Sequence, residues 1–458
     1  MTCGVDDGRV KLTLTKLGRI DHADIDIRPL TVFIGPNGTN KTWAAYSLYG
    51  LLRTISPEQE SVINPRMTEF DDDSRPVVDR LNQLFAPVLK AASAQEPPDR
   101  ESVIIDVEDL FKGIVDTWQH TIGSSLLEEI LGVSTDVLRD AEAVLDFKRD
   151  EFARHASKIE VLLEPGIGRL VLSVKKRDGK AKEIRLTTDQ WSEDELFHAI
   201  WRQLWGLIDR LIVFPAERKG LLLAMDRLNK KGEATLLPAH ADFLAFTRLG
   251  RTVRAKTLQT PDESLAPHLA RIVGGEIVFG SDGGGEGPLA LRLSDGRSLP
   301  LESASSLSRA VAGLSLYINH FVTPNDVLVI DELEMNAHPE AQMGLVELIA
   351  MLVNRGVRIV VTTHSPYVVD HLNNLMEAAR VPSERREPLA AKFQLGTPTA
   401  FISPEKVACH AFEEERPGGS VVVRDVLDRT SGLIDWSTFS RVSERMSNLY
   451  NEVLKATV

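Results

Sequence analysis

The sequence predicts an α/β fold built on a buried parallel sheet. Three short apolar runs, at residues 30–34, 327–330 and 357–363, each end at glycine or polar residues. Runs of Val, Ile and Leu without polar alternation are typical of parallel strands that are covered on both faces. Because the carboxyl ends of parallel strands lie at one edge of the sheet, we expect the residues after the three runs to share one crevice.

The segment after the first run has the pattern of a phosphate-binding loop. Residues 35–42 are close to the template G-x-x-x-x-G-K-[ST], in which backbone N–H groups surround phosphates, the Lys reaches the β and γ oxygens, and the hydroxyl binds magnesium. Asn40 replaces the second glycine, and Asn is the non-glycine residue that best tolerates a left-handed backbone. The alternative interpretation is a glycine-rich turn without a ligand. The candidate nucleotide-binding residues are Gly35, Pro36, Asn37, Gly38, Thr39, Asn40, Lys41 and Thr42.

Two carboxylates follow the second run, and a histidine follows the third. Asp331 suits a magnesium ligand together with Thr42, and Glu332 suits a base that orients or activates water. His364 is placed to contact a γ-phosphate. Each feature also has a structural alternative, because paired acids can cap a following helix and a lone histidine at a strand end is commonly a hydrogen-bonding residue. Their occurrence together with Lys41 and Thr42 favours the functional interpretation.

A hydroxyl-rich segment at residues 301–310 leads into the helix-like residues 311–317. Small hydroxyls at a helix N-terminus form an anion site, so Ser305 and Ser306 are candidate nucleotide contacts. Taken alone, this segment is a good helix cap.

In this order, the four segments resemble the ATPase core of the ABC class. The resemblance implies a Walker A loop at residues 35–42, a signature at residues 305–306, a Walker B motif at residues 331–332 and a switch histidine at His364. It also implies an α/β fold of the P-loop NTPase, ABC-ATPase type, with an antiparallel β-subdomain and a helical insertion.

More narrowly, the chain resembles stand-alone AAA-type ATPases related to the overcoming-lysogenisation-defect (OLD) family and to ATPase subunits of anti-phage defence systems. The segments that carry this resemblance are residues 11–30, 214–218, 334–340 and 372–375. The chain departs from the expected pattern at Asn40, at Leu307 after the signature serines and at Leu333 after the Walker B glutamate. These departures bear on the rate of hydrolysis more than on nucleotide binding.

The resemblance implies an ATPase that uses ATP and Mg²⁺ at the interface of a homodimer or higher homo-oligomer. Lys41 would neutralise phosphate charge, Thr42 and Asp331 would hold Mg²⁺, Glu332 would position water, and His364 would report the γ-phosphate. The expected role is that of a sensor or scaffold in an anti-phage assembly with a separate effector, a nuclease or a toxin. No nuclease is expected in this chain, because the tail after His364 shows no metal-type carboxylate cluster.

The motifs divide the chain into four expected parts: ATPase core at residues 1–56, a helical insertion at 57–157, further ATPase core at 158–400, and a C-terminal hairpin and helix at 401–458. Helix-type spacing at residues 80–85 and 126–131 supports the insertion. The other expected elements are a hairpin at 170–186 with a basic tip at 175–182, a helix at 194–209, a turn at 280–287, a hairpin from 407–412 and 421–426, and a helix at 436–454.

Composition limits the possible partners and compartment. The chain has 53 basic and 66 acidic residues and a net charge of −13, which opposes indiscriminate attraction to nucleic acid, although the basic hairpin tip could bind it locally. Cys3 and Cys409 form no metal-type cluster and suit a reducing compartment. Because no apolar run approaches ~18 residues, we expect a cytoplasmic protein without membrane insertion.

The sequence is also compatible with two other functions. In the first, the chain is an SMC-like ATPase of DNA repair or chromosome maintenance, and the insertion and basic hairpin hold duplex DNA. In the second, the chain binds ATP without hydrolysis and holds a partner inactive, as the replacements at Asn40, Leu307 and Leu333 allow.

Overall fold

The computed structural model describes residues 10–55, 102–106, 117–134, 136–148, 156–164, 169–176, 181–187, 210–224, 236–253, 265–280, 287–435 and 437–456. The chain divides into two compact units. One unit comprises Met1–Lys11, Leu51–Thr121 and Val144–Arg210, and the other comprises Leu12–Gly50, Ile122–Ala143 and Leu211–Val458.

The strands of the described residues are β1 (Val10–Leu17), β2 (Ile20–Ile27), β3 (Leu30–Ile34), β4 (Ser102–Asp106), β5 (Thr117–Gly123), β6 (Glu142–Lys148), β7 (Ala156–Glu164), β8 (Arg169–Lys176), β9 (Ala181–Thr187), β10 (Leu211–Phe214), β11 (Glu276–Phe279), β12 (Leu289–Arg292), β13 (Ser298–Pro300), β14 (Val327–Ile330), β15 (Arg358–Thr363), β16 (Val407–Glu414), β17 (Val421–Asp425), β18 (Leu427–Asp428) and β19 (Leu433–Ile434).

The α-helices of the same residues are α1 (Lys41–Ile55), α2 (Ser124–Leu131), α3 (Arg218–Ala224), α4 (Pro238–Val253), α5 (Ala266–Val273), α6 (Ser306–Ala310), α7 (Ala312–His320), α8 (Pro339–Asn354), α9 (Pro366–Arg380), α10 (Ser383–Ala390) and α11 (Ser437–Ala456). Short 3₁₀ turns lie at Leu301–Ser303, Pro398–Ala400 and Pro404–Lys406. None of these helices is long and apolar enough to cross a membrane.

A six-stranded sheet forms the centre of the second unit and confirms the expected parallel sheet. Its strand order is β10-β14-β15-β3-β16-β17, and only β16 and β17 pair antiparallel. Every residue of β3, β10 and β14 is buried, as the unbroken apolar runs predict. Because β14, β15 and β3 are adjacent and parallel, the residues after all three strands lie at one edge of the sheet.

Smaller sheets accompany the central sheet in the described residues. Three strands have the antiparallel order β11-β12-β13, β18 pairs with β19, and a further sheet has the order β2-β1-β6-β5. The expected turn at residues 280–287 joins β11 to β12, and Gly280 and Gly287 have φ values of 72° and 117°. Residues 281–286 of this turn lie outside the described residues.

The other unit contains an antiparallel sheet with the strand order β4-β7-β8-β9. The expected hairpin is confirmed as β8 and β9, with Lys175 opposite Ala181. The tip residues 177–180 lie outside the described residues.

The expectation of a helical insertion at residues 57–157 is wrong for the part that the structure describes. There the chain forms β4, β5 and β6 and the start of β7, with α2 between β5 and β6. Helix-type spacing at residues 126–131 does correspond to α2, but long-range strand pairing overrides local spacing elsewhere. The expected helical segments at 80–85 and 194–209 lie outside the described residues.

The C-terminal elements agree with the sequence. Strands β16 and β17 form the expected hairpin, with His410 opposite Asp425. The expected helix at 436–454 corresponds to α11, which has nearly the same bounds. The hairpin adds its first strand to the central sheet beside β3.

A buried polar cluster connects helices α8 and α9 to the segment that follows α10. Glu347 on α8 accepts hydrogen bonds from the backbone N–H groups of Gln394 and Leu395, at 2.9 and 2.7 Å, and lies 2.8 Å from His371 Nε2 on α9. A buried carboxylate is stable only when it is paired in this way. The cluster therefore ties α8, α9 and the segment after α10 together.

Candidate nucleotide-binding site

The predicted phosphate-binding loop connects β3 to the start of α1. Gly35 has a φ of 140°, and a Cβ at this position would lie 2.3 Å from the carbonyl oxygen of Phe412, so only glycine fits. Gly38 has a φ of 74°, and Asn40 has a φ of 64°, as the departure from the template predicts for asparagine. Residues 36–38 are exposed, and Thr39 is buried with its hydroxyl donating to the carbonyl oxygen of Pro36 at 2.8 Å.

The turn between β1 and β2 supports this loop, which the sequence did not indicate. The backbone N–H of Arg19 donates to Asn40 Oδ1 at 3.2 Å, and the Arg19 guanidinium donates to the carbonyl oxygen of Gly38 at 3.1 Å. The same guanidinium pairs with Glu414 at 2.7 Å. Asn40 thus does more than tolerate a left-handed backbone, because its side chain also accepts a hydrogen bond that glycine could not accept.

Lys41 is buried at the end of the loop. Its ammonium donates to the carbonyl oxygens of Gly35 and Pro36, at 2.9 and 2.6 Å. Burial lowers the pKa of Lys41 to about 8, and the nearby carboxylates of Asp331, Glu334 and Glu332 oppose this shift. The ammonium therefore lies inside the loop among oxygen atoms that an incoming phosphate would replace.

Thr42, Asp331 and Thr362 form an oxygen-rich cluster at the start of α1. The hydroxyls of Thr42 and Thr362 both donate to Asp331 Oδ1, at 3.1 and 2.5 Å. Asp331 is buried, and this desolvation raises its pKa despite the two hydrogen bonds. A buried carboxylate beside a hydroxyl is the donor set that Mg²⁺ prefers, so the residues fit the implied ion.

Glu332 continues directly from this cluster, with a left-handed backbone at a φ of 50°. Its N–H donates to the Thr362 hydroxyl at 2.9 Å, which holds the turn after β14 against β15. The alternative that the paired acids cap the next helix is wrong, since α8 begins only at Pro339 and its cap is His338. No role was expected for Thr362, which is the next-to-last residue of β15 and lies two residues before His364.

Arg218 joins three parts of the site through a buried guanidinium. Its Nε donates to the carbonyl oxygen of Ala310 at 2.9 Å, its Nη1 to that of Asp331 at 2.7 Å, and its Nη2 to that of Glu332 at 2.9 Å. It therefore connects the end of α6 to the turn that carries both acidic residues. Arg218 belongs to residues 214–218, which carry part of the family resemblance, but the sequence does not indicate its hydrogen-bond partners.

His364 connects the end of β15 to the phosphate-binding loop. Its Nδ1 lies 2.9 Å from the carbonyl oxygen of Gly35, and its backbone N–H donates to Glu334 Oε1 at 2.5 Å. The other oxygen, Glu334 Oε2, is buried and has no hydrogen-bond partner among the described residues. An unsatisfied buried carboxylate oxygen is costly, so it marks a place where a donor or cation is stabilised.

Ser305 and Ser306 lie at the N-terminus of α6, as the sequence predicts. Ser305 Oγ accepts from the N–H of Ser308 at 3.0 Å, and Ser306 Oγ accepts from Arg309 Nη2 at 3.2 Å. Among the described residues, these hydrogen bonds stay within the serines' own segment and do not reach the phosphate-binding loop. Ser305 is exposed to solvent.

The structure thus brings most of the predicted site residues together. Hydrogen bonds link Thr42 to Asp331 and His364 to Gly35, and Lys41 experiences the charges of Asp331 and Glu332. Among the described residues, the hydrogen bond from Arg218 to Ala310 connects the helix of the signature serines to this group.

Comparison with known proteins agrees with an ATPase fold. Residues 250–369 match a protein-family model described as the AAA ATPase domain, and this segment contains Ser305, Asp331 and His364. No curated protein matches the sequence. The strand order, the phosphate-binding loop and this match together define the α/β fold of a P-loop ATPase.

Several solved structures are similar over most of their length but only distantly. The SMC head domain from Thermotoga maritima is 12% identical, with a TM-score of 0.35, and the match covers 91% of this chain and 98% of that one. An SMC head bound to the C-winged helix domain of ScpA is 11% identical, with a TM-score of 0.37, and the match covers 91% of this chain and 98% of that one. An SMC head with an extended coiled coil, bound to the C-terminal domain of ScpA derived from Pyrococcus furiosus, is 11% identical with a TM-score of 0.35, covering 95% and 98%.

Proposed function

We propose that this chain binds ATP with Mg²⁺ in the phosphate-binding loop and hydrolyses it slowly between two copies of itself. The observation that carries the proposal is the contact between Thr42 and the buried Asp331, 289 residues apart in the sequence. A hydroxyl after the loop lysine and a carboxylate at the end of a neighbouring strand are the two protein ligands that position Mg²⁺ beside a triphosphate.

Each site residue has a distinct task in this proposal. On binding, the Lys41 ammonium leaves the carbonyl oxygens of Gly35 and Pro36 and pairs with the β- and γ-phosphates. Thr42 and Asp331 would hold Mg²⁺, which would supply positive charge to neutralise the phosphates. Glu332 orients the attacking water, and Thr362 holds the turn that positions Glu332. His364, fixed to the loop through Gly35, contacts the γ-phosphate.

A second copy supplies the remaining contact. The N-terminus of α6 carries Ser305, which is exposed to solvent. In our proposal, Ser305 and Ser306 of one copy close over the γ-phosphate held by the other. Arg218 bonds both Ala310 at the end of α6 and the Asp331–Glu332 turn. When α6 of one copy closes on the nucleotide of the other, Arg218 therefore couples this closure to Asp331 and Glu332 of its own copy.

In the cell, we propose that this cycle serves a sensor or scaffold in an anti-phage assembly whose effector, a nuclease or a toxin, is a separate chain. The motif resemblance supports this role, whereas the AAA ATPase domain match supports only its ATPase part. ATP can bias open and closed forms only through its different affinity for them, and we propose that the closed form holds the effector.

The test is ATP turnover and particle mass of the wild type and of Glu332→Gln, each with and without ATP and Mg²⁺. We expect the wild type to turn over and the variant to lose about a hundredfold or more of the rate, because an oriented base contributes about that much. The variant should retain ATP and accumulate as a closed dimer or larger assembly. If the wild type binds ATP without turnover, a non-hydrolysing scaffold replaces this proposal.

An SMC-like function in DNA maintenance is the second candidate, and the lysine-bearing hairpin of β8 and β9 favours it. DNA held by such a hairpin would stimulate hydrolysis, and this stimulation would fall steeply with salt because phosphate contacts release counterions. Turnover measured with and without duplex DNA at two salt concentrations separates the two functions.

A further inference from the structure

We propose that α11 is a dimerisation element that pairs antiparallel with α11 of a second copy, independently of nucleotide. The described side chains of α11 run from Glu444 to Lys455, and every one of them is exposed. Among them, Met446, Leu449, Tyr450 and Val453 expose 63%, 54%, 64% and 53% of their surface. Such apolar exposure concentrated on one helix marks an interaction surface.

These four residues form a single stripe along the helix. Met446, Leu449 and Val453 are separated by three and then four residues, which is the spacing of a coiled-coil seam, and Tyr450 widens the seam on one side. We call these residues the α11 seam. A helix whose described side chains are all exposed gains little from tertiary packing, so a partner on the seam would supply the stability that the helix needs.

Charge selects a second copy as the occupant. Arg445 and Glu452 each precede a seam residue by one position, so both flank the seam on the same side. When two copies run antiparallel with Met446 of one against Leu449 of the other, Arg445 of each copy lies opposite Glu452 of the other. The twofold symmetry therefore forms this ion pair twice.

The parallel arrangement lacks this complementarity, because Arg445 would lie beside Tyr450 of the second copy and Glu452 would have no basic neighbour. A lipid surface is also a poorer fit. From Glu444 to Lys455 the helix carries two acidic and two basic side chains, Glu444, Glu452, Arg445 and Lys455. Peripheral helices that bind anionic membranes have a basic polar face instead.

The first experiment measures particle mass of the full-length protein without nucleotide. We expect a dimer for the wild type and a monomer for the variant with Met446→Ser, Leu449→Ser and Val453→Ser. Lys41→Ala should remain dimeric in the same measurement, because this association does not use the phosphate-binding loop. The result thereby separates the α11 pair from the ATP-dependent dimer proposed above, and a monomeric wild type overturns the inference whatever the ATPase result.

Charge exchange tests the register. Arg445→Glu and Glu452→Arg should each weaken the dimer about tenfold or more, since each places like charges opposite one another twice. The double variant Arg445→Glu with Glu452→Arg should recover dimerisation, because the pair is restored with its signs exchanged. Failure of the double variant to recover, in a protein with an unchanged circular dichroism spectrum, contradicts the antiparallel register.

Disulfide trapping gives an independent reading in a Cys3→Ser background. Proteins carrying Arg445→Cys and Glu452→Cys should form a disulfide when mixed, whereas neither should link to itself, since identical positions lie about 10 Å apart along the axis in this register. Self-linking of either protein, without mixed product, would indicate another arrangement. Co-sedimentation of a monomeric wild type with phosphatidylcholine–phosphatidylglycerol vesicles, lost in the serine variant, would assign the seam to a lipid surface and overturn the inference.

Discussion

At the scale of single residues, the loop lysine is the most informative group. Burial lowers the pKa of Lys41 to about 8, whereas lysine in water titrates near 10.4. In the free protein, its ammonium is protonated at neutral pH and loses its proton as the pH passes about 8. Phosphates bind the protonated form and raise its pKa again, so ATP binding is linked to protonation of this residue.

We therefore predict that ATP affinity falls as the pH rises above about 8, by up to ~10-fold per pH unit, because an increasing fraction of the free protein must first bind a proton. Titration of a fluorescent, non-hydrolysable ATP analogue from about pH 7 to about pH 9.5 measures this slope. Lys41→Arg is the matched control, since its guanidinium stays charged throughout. An equal slope in Lys41→Arg would assign the effect to another group.

Arg218 is the second residue whose environment predicts a measurable effect. Its guanidinium donates to the buried carbonyl oxygens of Ala310, Asp331 and Glu332. Arg218→Ala leaves these acceptors without donors, and we expect the free energy of unfolding to fall by about 3 kcal/mol or more. Arg218→Lys keeps the charge but not the planar fork, so its loss should be smaller.

Urea unfolding followed by tryptophan fluorescence checks this order of stability, wild type above Arg218→Lys above Arg218→Ala. Turnover adds a second readout, because loosening the turn that carries Glu332 should lower kcat in Arg218→Lys while ATP affinity stays near that of the wild type. Unfolding of Arg218→Ala at the wild-type urea concentration would contradict the role assigned to these hydrogen bonds.

At the scale of elements, the phosphate-binding loop depends on one non-glycine residue with a positive φ. Asn40 has a φ of 64° and accepts the N–H of Arg19 through its side chain. We predict that Asn40→Ala lowers the free energy of unfolding by about 1–2 kcal/mol, because alanine pays the left-handed strain and loses the hydrogen bond. Asn40→Gly should lose less, because glycine relieves that strain.

Urea midpoints of the two variants decide between strain and hydrogen bonding as the reason for asparagine here. A larger loss in Asn40→Gly than in Asn40→Ala would show that backbone strain contributes little. ATP affinity of Asn40→Gly provides a second comparison, since this change restores the template glycine while removing the link to the β1–β2 turn.

The sequence predicted the elements whose residue pattern is local, such as an apolar strand and the turn that follows it. The parallel strands, the loop, the cap at Ser305 and the C-terminal hairpin and helix all appear as expected. Elements that depend on distant pairing were missed. Strands β4 to β6 form in a segment that was expected to be helical. Strand β4 pairs with β7 and β6 pairs with β1, and local spacing contains no record of such distant partners.

The same limit applies to the site. Lys41, Thr42 and Asp331 follow a short template, so their positions were predictable. The bonds of Arg218 to Ala310 and of Arg19 to Asn40 span 92 and 21 residues, and no spacing rule indicates them. Thr362 lies two residues before His364, which was singled out, but its contacts with Asp331 and Glu332 depend on which strand neighbours β15.

At the scale of the whole molecule, we propose two kinds of association between copies of the chain. One is the ATP-dependent closure of Walker A and B residues against Ser305 and Ser306 of another copy, and the other is the nucleotide-independent pairing of α11. The two surfaces use different residues. A chain that pairs through α11 would keep two ATPase sites near one another even when they are open, which raises their effective concentration for closure.

If each ATPase site is built from two copies, two inactive variants should restore activity when they are mixed. Glu332→Gln removes the water-orienting base, and Ser306→Glu places a negative charge where the γ-phosphate would bind while suiting the first turn of α6. Each variant alone should be inactive. In a mixed dimer, one site contains both changes and the other contains neither, so an equal mixture should recover about a quarter of the wild-type turnover. If the mixture remains as inactive as its components while mixed dimers are shown to form, the site lies within one copy. That result would contradict an ATPase site shared between two copies.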